Sequence, residues 1–138
     1  MPGSSQPRVL VVDDSTVVRR ILVLTLLQMP AFRQAQIDEA GNGAIALARL
    51  KANRYDLVLS DVRMPYVDGL ELVRRVRTEL GDTRTPIFLI STLGSEDDVR
   101  RGLDAGATAY VAKPLSPHHI QQAIEQYLSE QGGADPGE

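Results

Sequence analysis

A small set of residues in this 138-residue chain could do chemistry together, and each stands at the end of a short apolar run. Asp13 and Asp14 follow Val9–Val12, and Asp61 closes the run that begins Leu57–Leu59. Ser91 and Thr92 follow Ile87–Ile90, and Lys113-Pro114 follows Ala109–Ala112. If these runs are neighbouring strands, three carboxylates, a hydroxyl and an ammonium meet at one rim. Like charges about 4 Å apart repel by roughly 4 kcal/mol per pair at an effective dielectric near 20. Such a cluster therefore calls for a cation. Lys113 with one divalent ion would balance the three negative charges, and hard oxygen donors in an open rim suit Mg²⁺. Mg²⁺ ordinarily shares its shell with a phosphate, so the rim looks built to receive one. Asp61 as nucleophile would then form an acyl phosphate. The metal and Lys113 would stabilise charge on the transferring oxygens.

The elements that must position these groups can be read along the chain. The runs named above, with a weaker one at Ala35–Asp38, give five strands. Between them apolar residues recur at helical spacing: Val17, Val18, Ile21, Leu22 and Thr25; Ile45, Leu47, Ala48 and Leu50; Leu70, Leu72, Val73, Val76 and Leu80. A last stripe comprises Ile120, Ala123, Ile124, Tyr127 and Leu128. Asp68 with Glu71, and Ser95 with Asp98, are helix-start signals, and Ser116-Pro117 opens the last helix. Gly81 and Gly106 stand where helices should stop. Five strand–helix repeats predict an α/β fold, a parallel sheet with helices on both faces. In such sheets ligands bind beyond the carboxyl ends of the strands, which is where the candidate groups lie.

Bulk properties narrow the field. The length fits one domain. Hydrophobic residues at 43% and charged residues at 24% describe a folded rather than a disordered chain. A net charge of −3 argues against direct nucleic-acid binding. The absence of cysteine excludes disulfides and thiolate chemistry. The most apolar stretch, Ile21–Met29, is too short to span a bilayer, and Met1–Pro7 lacks the features of a signal peptide. No membrane insertion and a cytoplasmic location are expected. Met1–Pro7 and 131–138, rich in Gly, Ser and Pro, are expected to be loose tails around a domain at 8–130, with no output domain attached.

Four segments in this order resemble the receiver domains of two-component response regulators, and most closely the stand-alone chemotaxis type. They are Val9–Ser15 (VLVVDDS), Leu57–Val73 (LVLSDVRMPYVDGLELV), Pro86–Thr92 (PIFLIST) and Gly106–Leu115 (GATAYVAKPL). The resemblance covers about Arg8 to Ser129. It implies a (βα)5 flavodoxin-like fold, a three-layer arrangement with strand order 2-1-3-4-5. It implies Asp61 as phosphoacceptor, Asp14 as a direct Mg²⁺ ligand, Asp13 as a ligand through water, and the Arg63 carbonyl as a further ligand. Lys113 would pair with the phosphoryl oxygens. Ser91, more often threonine in the family, would bind the phosphoryl group, and Tyr110 would turn inward in response. Arg63 and Leu93 occupy positions that tune phosphate lifetime. The implied partners are a sensor histidine kinase or phosphotransfer protein, a downstream target protein, and in some cases a second copy of the chain.

Other readings weigh less. A phosphatase with an aspartyl-phosphate intermediate, resembling haloacid dehalogenases, would carry a second Asp where Arg63 stands. A flavin carrier on a similar fold would need aromatics around the ring, and the chain has no Trp. Ser91 lacks the G-x-S-x-G setting of a hydrolase nucleophile. His118 and His119 read as surface residues, because neighbours in sequence do not share a helix face. Arg74, Arg75 and Arg77, and the pair Arg100-Arg101, read as solvated helix faces.

Overall fold

The structure is a computed structural model that describes residues 6–112 and 116–133. Strands and helices alternate. β1 (Arg8–Val12), β2 (Gln36–Ala40), β3 (Leu57–Asp61), β4 (Ile87–Ser91) and β5 (Ala109–Ala112) form one sheet. α1 (Thr16–Leu27), α2 (Gly43–Ala52), α3 (Gly69–Thr78), α4 (Glu96–Ala105) and α5 (Pro117–Gly133) connect and cover it. All pairings are parallel, in the order β2-β1-β3-β4-β5, as the resemblance implied.

The strands are apolar on both faces because both faces are covered. Leu10, Val12, Val58, Ile87 and Leu89 pack with Leu47, Leu72, Val73 and Val76, from α2 and α3. Val9, Val11, Leu57, Leu59, Phe88 and Ile90 pack with Leu22, Leu26, Ile120 and Ile124, from α1 and α5. The two-residue period of a strand assigns neighbours in sequence to opposite cores. Phe88 and Tyr127 meet edge to face, with ring centroids 5.8 Å apart.

The helix starts follow the local chemistry. Ser15, Asn42, Asp68 and Ser95 each accept a hydrogen bond from the backbone N–H three residues on, satisfying a donor that the first turn leaves over. Ser95 and Asp98 form a reciprocal capping box. α4 stops at Gly106, whose φ of 115° is left-handed.

Several expectations need correcting. β2 lies at Gln36–Ala40 rather than Ala35–Asp38, and a 3-10 turn at Pro30–Phe32 precedes it. In α1 the inward residues are Leu22, Thr25 and Leu26, while Val17 is exposed and Ile21 marginally so. Ile45 of α2 is exposed as well. Gln6 and Pro7 are tied to the fold: the Gln6 side chain donates to the Gln34 carbonyl, and Gln36 N–H donates to the Pro7 carbonyl. α5 continues past Glu130 to Gly133. Arg77 is not a solvated cation. Its guanidinium donates to the carbonyls of Gly106 (3.0 Å) and Asp82 (3.1 Å), joining α3 to the end of α4 and to the loop before β4. His118 and His119 are exposed, as expected. Among the described residues no helix is long and apolar enough to cross a membrane.

Candidate phosphoryl and metal site

Register brings the acidic residues together. β1 lies beside β3, with Val12 opposite Ser60, so Asp13, just past β1, lies beside Asp61, the last residue of β3. Among the described residues, Asp13, Asp14 and Asp61 each offer a carboxylate oxygen, and these oxygens lie within 4.8 Å of one another. Asp13 is 3% exposed, Asp61 is partly buried and Asp14 is exposed.

The carboxylates are held from the backbone. Ser15 N–H donates to Asp13 Oδ1 (2.9 Å), and Val62 N–H donates to Asp61 Oδ1 (2.8 Å). Asp13 N–H donates to the carbonyl of Ala40 at the end of β2 (3.1 Å). On the far side of Asp61, Gly69 N–H donates to the Val62 carbonyl (2.7 Å). A Cβ on Gly69 would stand 2.3 Å from the Asp61 carbonyl oxygen, so only glycine lets α3 begin this close to the acidic rim.

Would these residues fit Mg²⁺? Trans ligands around an ion with bonds of about 2.1 Å are separated by roughly 4.2 Å. An oxygen cluster of 4.8 Å is close to that span and wide enough to admit an ion with its waters. Three hard anionic donors with an open approach through Asp14 are the donor chemistry Mg²⁺ favours. The residues present fit the ion. Arg63 is exposed, and its backbone follows Asp61 and Val62 around the same rim.

Ser91 ends β4, one strand over from Asp61, and is 1% exposed. Leu93 joins it to Tyr110. Leu93 N–H donates to Ser91 Oγ (3.0 Å), and the Leu93 carbonyl accepts from the Tyr110 hydroxyl. Burial pushes the Tyr110 hydroxyl above its ordinary value. The nearby Ser91 hydroxyl opposes that rise, and the charges of Asp98 and Asp61 add to it. Tyr110 is therefore a neutral donor at physiological pH. It also lines a cavity of about 200 Å³ with Val62, Arg63, Asp68, Leu70, Leu93, Asp98 and Arg101. Lys113, expected to pair with the phosphoryl oxygens, lies outside the described residues, as does Pro114; β5 is described as far as Ala112, opposite Ser91.

Sequence reasoning brought Asp13, Asp14 and Asp61 to one place, and the structure places them there. It missed Arg19, whose guanidinium lies behind the acidic pair on Asp13 and Glu39. No spacing rule marks a side chain that acts on a backbone carbonyl.

Comparison with known proteins agrees with this geometry. The family model described as response regulator receiver domain matches residues 9–125. The chain is 40% identical over 129 residues to a gliding motility regulatory protein of Myxococcus xanthus, covering 91% of this chain but 16% of that protein. It is 36% identical over 122 residues to the chemotaxis protein CheY1 of Helicobacter pylori, covering 88% of this chain and 96% of that one. The structure of the chemotaxis response regulator CheY4 of Vibrio cholerae superposes with a TM-score of 0.78 at 31% identity, over 88% of this chain and 98% of that one. With five parallel strands in the matching order and acidic groups gathered beyond β1 and β3, the chain belongs to the response regulator receiver domain family.

Proposed function

We propose that the chain is a response regulator receiver in which Asp61 accepts a phosphoryl group from a histidine kinase or phosphotransfer protein. The convergence of the Asp13, Asp14 and Asp61 carboxylates at the edge between β1 and β3 carries this reading. Asp61 attacks the phosphorus and becomes a mixed anhydride, and the donor group leaves. Mg²⁺, held by Asp13, Asp14, Asp61 and the Arg63 carbonyl, supplies positive charge for the equatorial oxygens when bound. Lys113 and Ser91 would bind the phosphoryl oxygens, as the family resemblance implies. The chain has no turnover beyond its own phosphotransfer and autodephosphorylation.

Phosphorylation replaces a carboxylate by a group carrying about −2. Pulling Ser91 toward that group shifts Leu93, whose carbonyl holds Tyr110, and so biases the surface of α4, β5 and α5. Support for a partner surface there comes from the groove of about 460 Å³ along α4, lined by Gly94, Glu96, Val99, Arg100, Leu103 and Asp104. A downstream target protein or a second copy of the chain would bind it, in the cytoplasm, without nucleic acid. The receiver unit takes in Gln6 and Pro7 before β1 and the end of α5 at Gly133.

The test is labelling by acetyl phosphate, read by mass spectrometry after acid quench. One phosphoryl group should appear on Asp61 with Mg²⁺ present, and none with EDTA or in Asp61→Asn. Failure to label a folded protein at saturating Mg²⁺ would overturn the reading.

A further inference from the structure

From α1, Arg19 reaches back to the loop that carries the acidic pair. Its side chain is 17% exposed, low for an arginine, and every part of the fork is engaged. One terminal nitrogen donates to the backbone carbonyl of Asp13 (2.6 Å), and Nε donates to Glu39 Oε1 on β2 (2.9 Å). The other terminal nitrogen reaches Thr16 Oγ1 (3.3 Å).

We infer that Arg19 is a positioning residue for the metal-binding carboxylates: it fixes the peptide between Asp13 and Asp14 by capturing its carbonyl, with Glu39 aiming the guanidinium. This rests on the reading of Asp13 and Asp14 as Mg²⁺ ligands.

The peptides on either side of that one are anchored as well. The preceding one is tied to β2 by Asp13 N–H on the Ala40 carbonyl, and the following N–H is held by the Asp13 carboxylate. Rotation of the peptide between them would swing Asp14, which is exposed. A planar guanidinium that grips a carbonyl and a carboxylate at once sets both distance and plane. A lysine ammonium, a single point charge, could satisfy one acceptor but not define the plane. Glu39 is shared: Arg20, 70% exposed, approaches its other oxygen at 3.5 Å. Arg20 carries the same charge on the same helix and the same Glu39 as neighbour, but it is far more exposed, which makes it the natural control.

Loss of a group that orients metal ligands ordinarily costs 10- to 100-fold in metal affinity. The experiment is a calorimetric titration of MgCl2 into the unphosphorylated full-length chain at low ionic strength. Circular dichroism checks folding. Arg19→Gln is expected to weaken Mg²⁺ binding by about tenfold or more. Arg19→Lys should fall between it and the wild type, and Arg20→Gln should stay within about twofold of the wild type. Should Arg19→Gln not fold, Arg19→Lys against Arg20→Gln decides. Phosphorylation at saturating Mg²⁺ should recover in the Arg19 variants, since the ion is displaced in affinity and not in identity. Wild-type binding with unchanged affinity in the Arg19 variants overturns the role of Arg19 and leaves the metal site standing. Equal losses in the Arg19 and Arg20 variants overturn it as well, because bulk charge would then be the cause. No Mg²⁺ binding by the wild type overturns the site itself, and this inference with it.

Discussion

A Cβ on Gly102 of α4 would stand 2.7 Å from Cδ2 of Tyr110 on β5. The helix can lie over the aromatic ring because it has no side chain at that point. A second ring atom would be 3.0 Å away and Leu89 Cδ1 3.1 Å, so the obstruction is a packed ring between two walls rather than the tip of a mobile chain.

Alanine at position 102 should therefore fail to show its usual benefit. In a helix interior alanine is favoured over glycine by about 1 kcal/mol, whereas overpacking costs roughly 1–3 kcal/mol. Gly102→Ala is expected to lower stability in urea by about 1 kcal/mol and to move the Tyr110 ring resonances. A variant more stable than the wild type, with those resonances unmoved, would contradict the contact.

Metal removal should register as a loss of stability. An ion that binds the folded chain and not the unfolded one stabilises it by about 1.4 kcal/mol for each tenfold excess over its dissociation constant. The melting temperature is expected to climb with Mg²⁺, return on adding EDTA, and stay flat in Asp13→Asn and Asp61→Asn. Differential scanning calorimetry across a Mg²⁺ series would measure this.

At the opposite edge of the sheet, Asp38 on β2 accepts from the Tyr55 hydroxyl and pairs with Arg8 at 3.2 Å. Arg8 also lies 5.3 Å from the centre of the Tyr55 ring. Burial pushes the Asp38 carboxyl up, but the donors Tyr55, Gln36 and Arg8 together outweigh it and hold it below its ordinary 3.8. A carboxyl depressed by folding stabilises the fold above its unfolded value, and that contribution drains as pH falls through the folded one. Burial and then Asp38 raise Tyr55 from 10.0 to about 12, so its contribution is complete below pH 10 and lost on the way to 12. Tyr55→Phe should cost about 2 kcal/mol at pH 7, the range for a hydrogen bond to a charged group. The gap to wild type should narrow below pH 3.8 and again above pH 10. Urea unfolding at several pH values would show a constant gap if the pair contributes nothing.

Arg77 offers a cleaner contrast between charge and geometry. It grips the Gly106 and Asp82 carbonyls at once, and its stem packs against the Gly106 position. Arg77→Ala is expected to lose about 2 kcal/mol by leaving partly buried carbonyls without donors, and Arg77→Lys to recover less than half. Full recovery by lysine, measured in denaturant, would mean that charge alone matters.

How far these arrangements could be read from sequence depends on where an element sits. Central strands β1, β3 and β4 announce themselves as unbroken apolar runs because helices cover both faces. β2, sequence Gln36–Ala40, is an edge strand with a single partner, and all its side chains but Ala40 are exposed or half-buried, so its signal was weak and its placement slipped. The faces of α1 and α2 were misjudged in part because Val17 and Ile45 are apolar yet point outward. Asp13, Asp14 and Asp61 were legible because carboxylates at strand ends have few structural uses. Arg19 and Arg77 were not, since each serves main-chain carbonyls, and a carbonyl leaves no letter in the sequence.

The position of β1 between β2 and β3 has a consequence for synthesis. A ribosome that has finished β2 has made both members of the acidic pair at residues 13 and 14, but their companion is still unmade, and the slot it will fill lies open on the other flank of β1. Only after the chain crosses over through α2 and lays β3 into that slot does the pocket exist. A chain synthesised short of β3 is thus deaf to incoming signals, and capacity to respond cannot precede a sheet of three joined strands.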